Sequence, residues 1–135
     1  MNKVALLPYA DFLGIRIVDS DEDSPLLAMP WSEGLGGAPE RIHGGAIAGL
    51  LEIAAIAAID ATLDDPAQAR ERFKPISVTV DYMRPGLMTE TYARGEVVRI
   101  GSRIANVAVE AWQDDPERPI AAARLNIAIG APSKS

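Results

Sequence analysis

One stretch decides the fold of this chain: residues 43–63 read HGGAIAGLLEIAAIAAIDATL. From Gly44 onward the stretch covers about five helical turns, and apolar residues occupy every side of it. A helix that is apolar all round is usually buried. The segment Asp64-Asp65-Pro66 follows directly, and proline cannot continue a helix. The sequence therefore predicts a buried helix from about Gly44 to Leu63.

The same helix is long enough to cross a bilayer. It is, however, rich in Ala and Gly, and it carries Glu52 and Asp60. A carboxylate in the middle of a bilayer costs a few kcal/mol. We therefore expect the core helix of a globular domain, and we expect no membrane among its partners.

The segments around the helix have the pattern of β-strands. Two strands are predicted before it, at Phe12–Val18 and Leu26–Trp31, and a Gly-rich loop at Ser32–Arg41 leads into the helix. After Pro75, apolar and polar residues alternate, which is typical of strands with one buried face. This second half predicts four strands joined as a meander, at Ile76–Met83, Tyr92–Ile100, Arg103–Trp112 and Ile120–Ile129.

These elements together predict the fold class. An antiparallel sheet has one face that must be covered, and the apolar helix is the one long helix that the sequence offers. We therefore expect an α+β fold in which an antiparallel β-sheet wraps around one long central α-helix. A chain of 135 residues suits one domain, so residues 1–135 are predicted to form a single unit.

The composition excludes several kinds of chemistry. The chain has no cysteine, which excludes disulfides, thiolate zinc sites and cysteine nucleophiles. His43 is its single histidine, so a multi-histidine metal site is impossible and we expect no metal. The formal net charge of −6 makes nucleic acid a poor partner, because phosphate binding needs a basic surface. The N-terminal residues do not resemble a signal peptide, and we expect a cytoplasmic protein.

Glu52 is the residue of the helix that packing does not explain. On a helical wheel its nearest neighbours carry apolar side chains or none, and they are Gly45, Ala48, Ile56 and Ile59. No Lys or Arg stands three or four residues away to pair with it. A carboxylate in a confined position without a local partner is a candidate acid–base group. Two other interpretations stay open: an arginine from elsewhere in the fold pairs with Glu52, or its side chain reaches solvent through a gap.

The start of the helix, His43-Gly44-Gly45, is the second candidate. A helix N-terminus offers unpaired N–H groups and a positive dipole end, and glycine lets an oxygen atom approach the backbone closely. Such a place can polarise a carbonyl or bind an oxyanion. The alternative is that the glycines only make the turn and that His43 only caps or packs. Gly44 and Glu52 lie about 12 Å apart along the helix axis, so a two-fold dimer would join them more easily than one subunit.

Several motifs along the chain form a recognisable set. They are Met29-Pro30 at the end of a strand, Ile42-His43-Gly44-Gly45 at the helix start, an acidic residue nine positions after the histidine, Val80-Asp81-Tyr82-Met83-Arg84-Pro85-Gly86, a hairpin at Gly101 and an Ala-rich last strand. With this set, the chain resembles the hotdog-fold acyl-CoA thioesterases of the PaaI-like type over nearly its whole length.

The resemblance implies a fold, an assembly and a substrate. The helix would be the sausage and the sheet the bun, and two protomers would pair into one continuous sheet, often doubled to a tetramer. The substrate would be an acyl-CoA or acyl-carrier thioester, with no cofactor beyond the CoA that the substrate itself carries.

The resemblance also implies roles for named residues. The Gly44 N–H, with Gly45 beside it, would polarise the thioester carbonyl. His43 would position the carbonyl or the sulfur, and Glu52 of the other chain would be the nucleophile or the general base. The phosphates of CoA would meet basic residues, for which Arg84, Arg99 and Arg103 are the candidates. The alternative for these arginines is ordinary solvated surface.

Two positions depart from the family pattern. Many relatives carry Asn or Gln six residues before the histidine, where this chain has Gly37. Relatives often have Ser or Thr in the strand after the helix, and the counterpart here falls near Pro75. Either the role has moved to Glu40, Ser77 or Thr79, or the chemistry is weakened or absent. The alternatives to a thioesterase are therefore a non-catalytic acyl-CoA binding module or a hotdog enoyl-thioester hydratase.

Overall fold

The computed structural model describes residues 7–19, 24–63 and 73–130. These residues form one six-stranded antiparallel sheet with a long helix packed on it. The elements in chain order are α1 (Pro8–Leu13), β1 (Arg16–Asp19), β2 (Leu26–Met29), a 3-10 turn (Glu33–Leu35), α2 (Gly44–Leu63), β3 (Lys74–Tyr82), β4 (Thr91–Ile100), β5 (Ile104–Trp112) and β6 (Ala121–Ala128). The predicted central helix and the predicted antiparallel sheet are both confirmed. The first six residues and the predicted helix stop at Asp64-Asp65-Pro66 lie outside the described residues.

Small residues let α2 lie close to the sheet. A Cβ atom placed on Gly95 of β4 would lie 3.1 Å from the carbonyl oxygen of Ala54 and 3.2 Å from the Cβ of Ala58. The large side chains of Leu50 and Leu51 are fully buried in the same core. By length and composition alone α2 could cross a membrane, but most of it is buried inside this domain. The apolar character of the helix therefore serves the core that the sheet encloses.

The strand order is β1-β2-β4-β5-β6-β3, and this order corrects one prediction. Strands β4, β5 and β6 do form a meander, but β3 pairs with β6 at the edge of the sheet instead of beside β4. The segment between β3 and β4, residues 83–90, is too long for a tight hairpin and contains Pro85. It carries the chain across the end of the sheet, where the N–H groups of Met83 and Arg84 donate to the carbonyl of Ile120.

The prediction of a strand at Phe12–Val18 was wrong for the first half of that segment. Residues 8–13 form the short helix α1, and β1 begins only at Arg16. Pro8 stands at the first turn of α1, and Gly14 ends the helix with a left-handed φ of 77°. The N–H of Ile15 then donates to the carbonyl of Ala10 over 2.9 Å. Proline at the start and glycine just past the end are helix signals that the sequence does contain.

Strand β3 leaves one apolar face open. Its residues Ile76, Val78 and Tyr82 are 60%, 40% and 54% exposed. Val78 pairs with the buried Leu125 of β6, so this face of β3 points to the same side of the sheet as α2. An edge strand with an exposed apolar face is a surface on which another strand can pair.

Candidate active site

The backbone N–H groups at the start of α2 are all used except one. The carbonyl of His43 accepts hydrogen bonds from the N–H groups of Ala46 (3.0 Å) and Ile47 (3.3 Å). The N–H of Gly45 donates to the Nδ1 atom of His43 over 2.8 Å. Within the described part of the chain, the N–H of Gly44 has no hydrogen-bond partner. The helix therefore presents a single free donor at its positive end, on Gly44 and not on Gly45.

The bond from Gly45 decides which ring nitrogen of His43 carries the proton. Because the backbone N–H is the donor, Nδ1 must accept, and the neutral ring then carries its proton on Nε2. His43 thus caps its own helix through Nδ1. The ring is exposed, and its Nε2–H remains available as a second donor beside Gly44.

Tyr82, at the end of β3, reaches the same turn of the helix. Its hydroxyl donates to the carbonyl of Gly44 over 2.9 Å. A Cβ atom on Gly44 would lie 3.4 Å from the ring atoms Cε1 and Cζ of Tyr82. In the sequence, Tyr82 stands out only as part of the motif at residues 80–86, and no local pattern gives it a role. Its contact depends on β3 crossing to the far edge of the sheet, so no local pattern could have revealed it.

A cavity of about 430 Å³ opens at this end of the helix. His43, Gly44 and Tyr82 line it, and so do Arg41 and Arg84. No acidic side chain among the described residues lines it. In an acidic chain this cavity is a local basic patch, which can attract an anionic ligand. The structure thus brings Arg84 to the predicted site and adds Arg41, which no sequence pattern indicated.

Gly37 lines the same cavity, and its surroundings explain why this position carries no side chain. A Cβ atom at this position would lie 2.7 Å from the Cα and 3.1 Å from the backbone nitrogen of His43. Real Cβ atoms do not approach backbone so closely, so the loop would have to shift to hold any side chain there. The N–H of Gly37 donates to the carbonyl of Arg41, and the N–H of His43 donates to the carbonyl of Leu35. The loop backbone is therefore packed directly against the helix start.

Glu52 lies elsewhere on the helix, away from this cavity. It is half-buried, and in the described residues its carboxylate has no hydrogen bond and no ion pair. No arginine among these residues pairs with Glu52, so the described structure does not support the interpretation that an arginine from another part of the fold does so. Glu52 does not line the cavity at His43, as expected for two groups about 12 Å apart along one helix. One protomer therefore holds the two candidate groups apart.

Ser77 and Thr79 lie on the other face of the sheet from the helix. They pair with Asn126 and Arg124 of β6, and the Ser77 hydroxyl accepts a hydrogen bond of 2.8 Å from Asn126. Within one protomer they do not reach His43 or the cavity. Glu40 is exposed and has a positive φ of 65° in the loop that precedes the helix.

Arg99 and Arg103 lie at the opposite end of the sheet from the helix start. Arg99 pairs with Asn106 near the end of β4, and Arg103 lies in the following turn, where its carbonyl accepts from Ile129. Arg99 lines a second cavity, of about 900 Å³, that does not include His43. The described residues contain no group of three or more His, Asp or Glu side chains that could hold a metal ion.

Comparison with known proteins identifies the family. The family model described as the acyl-CoA thioesterase N-terminal domain matches residues 32–128, more than two thirds of the chain. The medium/long-chain acyl-CoA thioesterase YigI of Salmonella typhimurium is 28% identical over 117 residues, which cover 80% of this chain and 71% of that protein. YigI of Escherichia coli K12 is 27% identical over 118 residues, with 81% and 72% covered.

Solved structures agree on the fold. A protein related to the thioesterase superfamily from Shewanella oneidensis superposes with a TM-score of 0.77 at 25% identity, covering 92% of this chain and 88% of that one. The E. coli PaaI protein from the phenylacetic acid degradation operon superposes with a TM-score of 0.78 at 21% identity, covering 93% and 86%. The expected resemblance is thereby confirmed. The chain belongs to the acyl-CoA thioesterase family and is a thioester hydrolase with the hotdog fold.

Proposed function

We propose that this protein hydrolyses an acyl-CoA thioester at the start of α2, with Glu52 of a second protomer as the acid–base group or nucleophile. The observation that carries the proposal is the N–H of Gly44, which has no partner among the described residues and lies at the positive end of a buried helix in a basic cavity. A donor of this kind stabilises charge that develops on a carbonyl oxygen in the transition state. The Nε2–H of His43 is the second donor in the same cavity.

The reaction balances with these groups alone. As a general base, the Glu52 carboxylate takes a proton from water, and the oxygen adds to the thioester carbon. The carbonyl oxygen becomes negative against the Gly44 N–H. The C–S bond then breaks, and the CoA sulfur leaves with the proton that Glu52 held. As a nucleophile, the Glu52 carboxylate would instead add to the thioester carbon, the C–S bond would break, and the CoA thiolate would leave a mixed anhydride on Glu52. Water would then open the anhydride to the free acid and Glu52, and the proton that this water releases would go to the thiolate.

A shared site requires two protomers to meet near α2. The open apolar face of β3, formed by Ile76, Val78 and Tyr82, is where we place this contact. Pairing of two such edge strands would join the sheets into one and would cover the exposed apolar side chains. It would also bring the partner's helix to the side of the sheet where His43 lies. Self-association into a dimer, or a dimer of dimers, is therefore part of the proposal.

We place the phosphates of CoA at Arg41 and Arg84, because these two arginines line the cavity with His43. Arginine binds phosphate oxygens through two parallel N–H bonds. Arg41→Ala and Arg84→Ala are expected to raise KM for acyl-CoA while changing kcat less. Arg99→Ala, at the other end of the sheet, is the matched control. A larger rise in KM for the control would move the phosphates to that end.

We place the acyl chain beside α1, on the side of α2 that carries Glu52. Tyr9 packs over Gly49, where a Cβ atom would lie 3.1 Å from its Cε2 atom. Phe12 is 80% exposed and stacks on Tyr9 with ring centroids 5.9 Å apart. The YigI relatives are named for medium and long acyl chains, and an exposed aromatic pair fits such a tail. Phe12→Ala is expected to lower kcat/KM more for long acyl chains than for short ones, and an equal loss across chain lengths would contradict this placement.

The central test is release of free thiol from a series of acyl-CoAs by the parent protein and by Glu52→Gln. We expect a loss of about 10²–10⁴-fold in kcat, typical of an acid–base group. Glu110→Gln, an exposed glutamate on β5, is the control and should keep the parent rate. Equal rates in the parent and in Glu52→Gln would exclude Glu52 from the chemistry. Saturable binding of acyl-CoA without turnover by the parent would favour the non-catalytic binding module.

Mixing experiments test the shared site separately. In a heterodimer of Glu52→Gln with Gly45→Ala, one site carries both changes and the other carries neither. With random mixing, about a quarter of all sites would be intact, and activity should recover to about that level. Heterodimers that form and stay inactive would show that each site belongs to one chain.

A further inference from the structure

We infer that Tyr82 is a positioning residue, which acts on the substrate carbonyl through a relay of two hydrogen bonds that ends on His43. The relay runs from the Tyr82 hydroxyl to the Gly44 carbonyl, through the Gly44–Gly45 peptide to the Gly45 N–H, and from there to Nδ1 of His43. The kinetic part of this inference rests on the proposed thioesterase function. The structural part does not depend on it.

The two bonds act on the same peptide unit. Tyr82 donates to the Gly44 carbonyl oxygen over 2.9 Å, and the N–H of that peptide, on Gly45, donates to Nδ1 over 2.8 Å. A bond to the carbonyl oxygen polarises the peptide and makes its N–H a stronger donor. The hydroxyl of Tyr82 therefore strengthens the bond that holds the imidazole ring.

The bond to Nδ1 has two consequences for His43. It holds the neutral ring in the form that carries its proton on Nε2, and it fixes the orientation of the ring against the helix. A Cβ atom on Gly45 would lie 2.9 Å from Nδ1 and 3.1 Å from Cε1, so the ring packs directly over that glycine. The Nε2–H is thus held as a donor next to the free N–H of Gly44. Without the relay, the ring could rotate and Nε2 would lose its fixed position.

The Tyr82 hydroxyl bonds to the backbone although its side chain is exposed. In a single protomer the side chain is 54% exposed, so its hydroxyl could bond to water there at little cost. It bonds instead to a helix carbonyl that lies 38 residues away in sequence. The tyrosine ring also covers Gly44, and a phenylalanine would keep that cover while removing only the hydroxyl. Tyr82→Phe therefore separates the relay from the packing.

Nuclear magnetic resonance tests the relay without any substrate. His43 is the single histidine, so histidine labelled with ¹⁵N gives one pair of ring signals. With glycine also labelled, we expect a scalar coupling across the hydrogen bond between the Gly45 nitrogen and Nδ1, and a protonated Nε2. In Tyr82→Phe the coupling should weaken and the Gly45 amide should exchange faster with water. Tyr92→Phe, which removes a hydroxyl bonded to Glu90 instead, should leave both unchanged.

Kinetics test what the relay does. Loss of one hydrogen bond of ordinary net strength should lower kcat by about twofold to tenfold. KM should stay near the parent value, because the relay acts on the donor that meets the transition state. Circular dichroism and light scattering on Tyr82→Phe and Tyr92→Phe establish that fold and assembly match the parent.

Two results would overturn the inference. One is a coupling to Nδ1 that is absent in the parent or unchanged in Tyr82→Phe. The other is a kcat for Tyr82→Phe equal to that of Tyr92→Phe. If the parent releases no thiol from any acyl-CoA, the proposed function fails, while the coupling experiment still decides whether the relay exists.

Discussion

The backbone N–H of Gly45 donates to the Nδ1 atom of His43 over 2.8 Å. This hydrogen bond joins two residues that are two positions apart in the sequence. This bond uses the Gly45 donor, and among the residues that the structure describes it leaves only the Gly44 N–H without a partner at the helix start. It also assigns the proton of the neutral imidazole to Nε2. A motif of one histidine and two glycines therefore contains three different parts: a cap, a free donor and a glycine that makes room for the cap.

Gly45→Ala should separate these parts. The new Cβ atom would lie 2.9 Å from Nδ1, so the imidazole must move and its bond to the backbone is lost. A displacement of this size near the reacting atoms is expected to lower kcat by about a hundredfold. Gly34→Ala is the control, because a Cβ there meets no atom within 4 Å. Thiol release measured on both variants checks the prediction, and a parent-like rate for Gly45→Ala would contradict it.

Gly37→Asn should destabilise the protein, although the family pattern that this chain resembles often has Asn or Gln at this position. Its Cβ atom would lie 2.7 Å from the Cα of His43, and backbone cannot yield cheaply. Overpacking of this kind typically costs about 1–3 kcal/mol in free energy of unfolding. Urea unfolding of Gly37→Asn beside Gly34→Asn measures the difference. A Gly37→Asn variant as stable as the parent and more active would show that the loop accommodates the amide.

Leu51→Ala should lower the free energy of unfolding far more than a truncation at an exposed position. The side chain is fully buried between α2 and the sheet. Deleting a buried leucine side chain to alanine typically lowers the free energy of unfolding by about 2–5 kcal/mol. Val98→Ala removes a side chain that is 59% exposed and should change stability by less than about 0.5 kcal/mol. Unfolding of both variants at one fixed protein concentration tests this contrast, since a self-associating protein gains stability with concentration.

Glu90 should make stability depend on pH in the acidic range. Its carboxylate accepts a hydrogen bond from Tyr92 and pairs with Arg16 at 2.8 Å, and these contacts lower the pKa of Glu90 below its ordinary value of 4.5. A lowered pKa in the folded state stabilises the fold above the unfolded pKa, and this contribution is lost as the pH falls through the folded pKa.

The test compares Glu90→Gln with the parent across pH. The variant should be less stable at neutral pH, and the difference should shrink below about pH 4.5, the ordinary value for the carboxyl group. Both side chains of the pair are partly exposed, so the effect is small. Glu96→Gln, an exposed glutamate without an ion pair in the described residues, is the control. A difference that grows as the pH falls would contradict the sign.

Sequence patterns predicted the local elements well where the periodicity was strong. The helix is confirmed from its predicted start at Gly44 through Leu63, the last described residue before the gap, because a long apolar run that starts at a glycine pair favours one buried helix. Strands β4, β5 and β6 were placed to within a few residues. The strand predicted at Phe12–Val18 started too early, because Pro8 and Gly14 had been overlooked as the boundaries of a short helix.

Some residues of the site stand out in the sequence, and others are brought to it only by the tertiary structure. The sequence by itself singled out His43, Gly44 and Glu52, since one histidine, one glycine pair and one partnerless carboxylate stand out on an apolar helix. Only the tertiary structure decided that β3 crosses to the far edge, because strand pairing between distant segments depends on the whole sheet and not on local period. That crossing brings Tyr82 to the Gly44 carbonyl and turns Ser77 away from the site. Which arginines face the cavity is likewise a consequence of contacts between segments far apart in the chain. The donor left at Gly44, in contrast, follows from the local bond between Gly45 and His43.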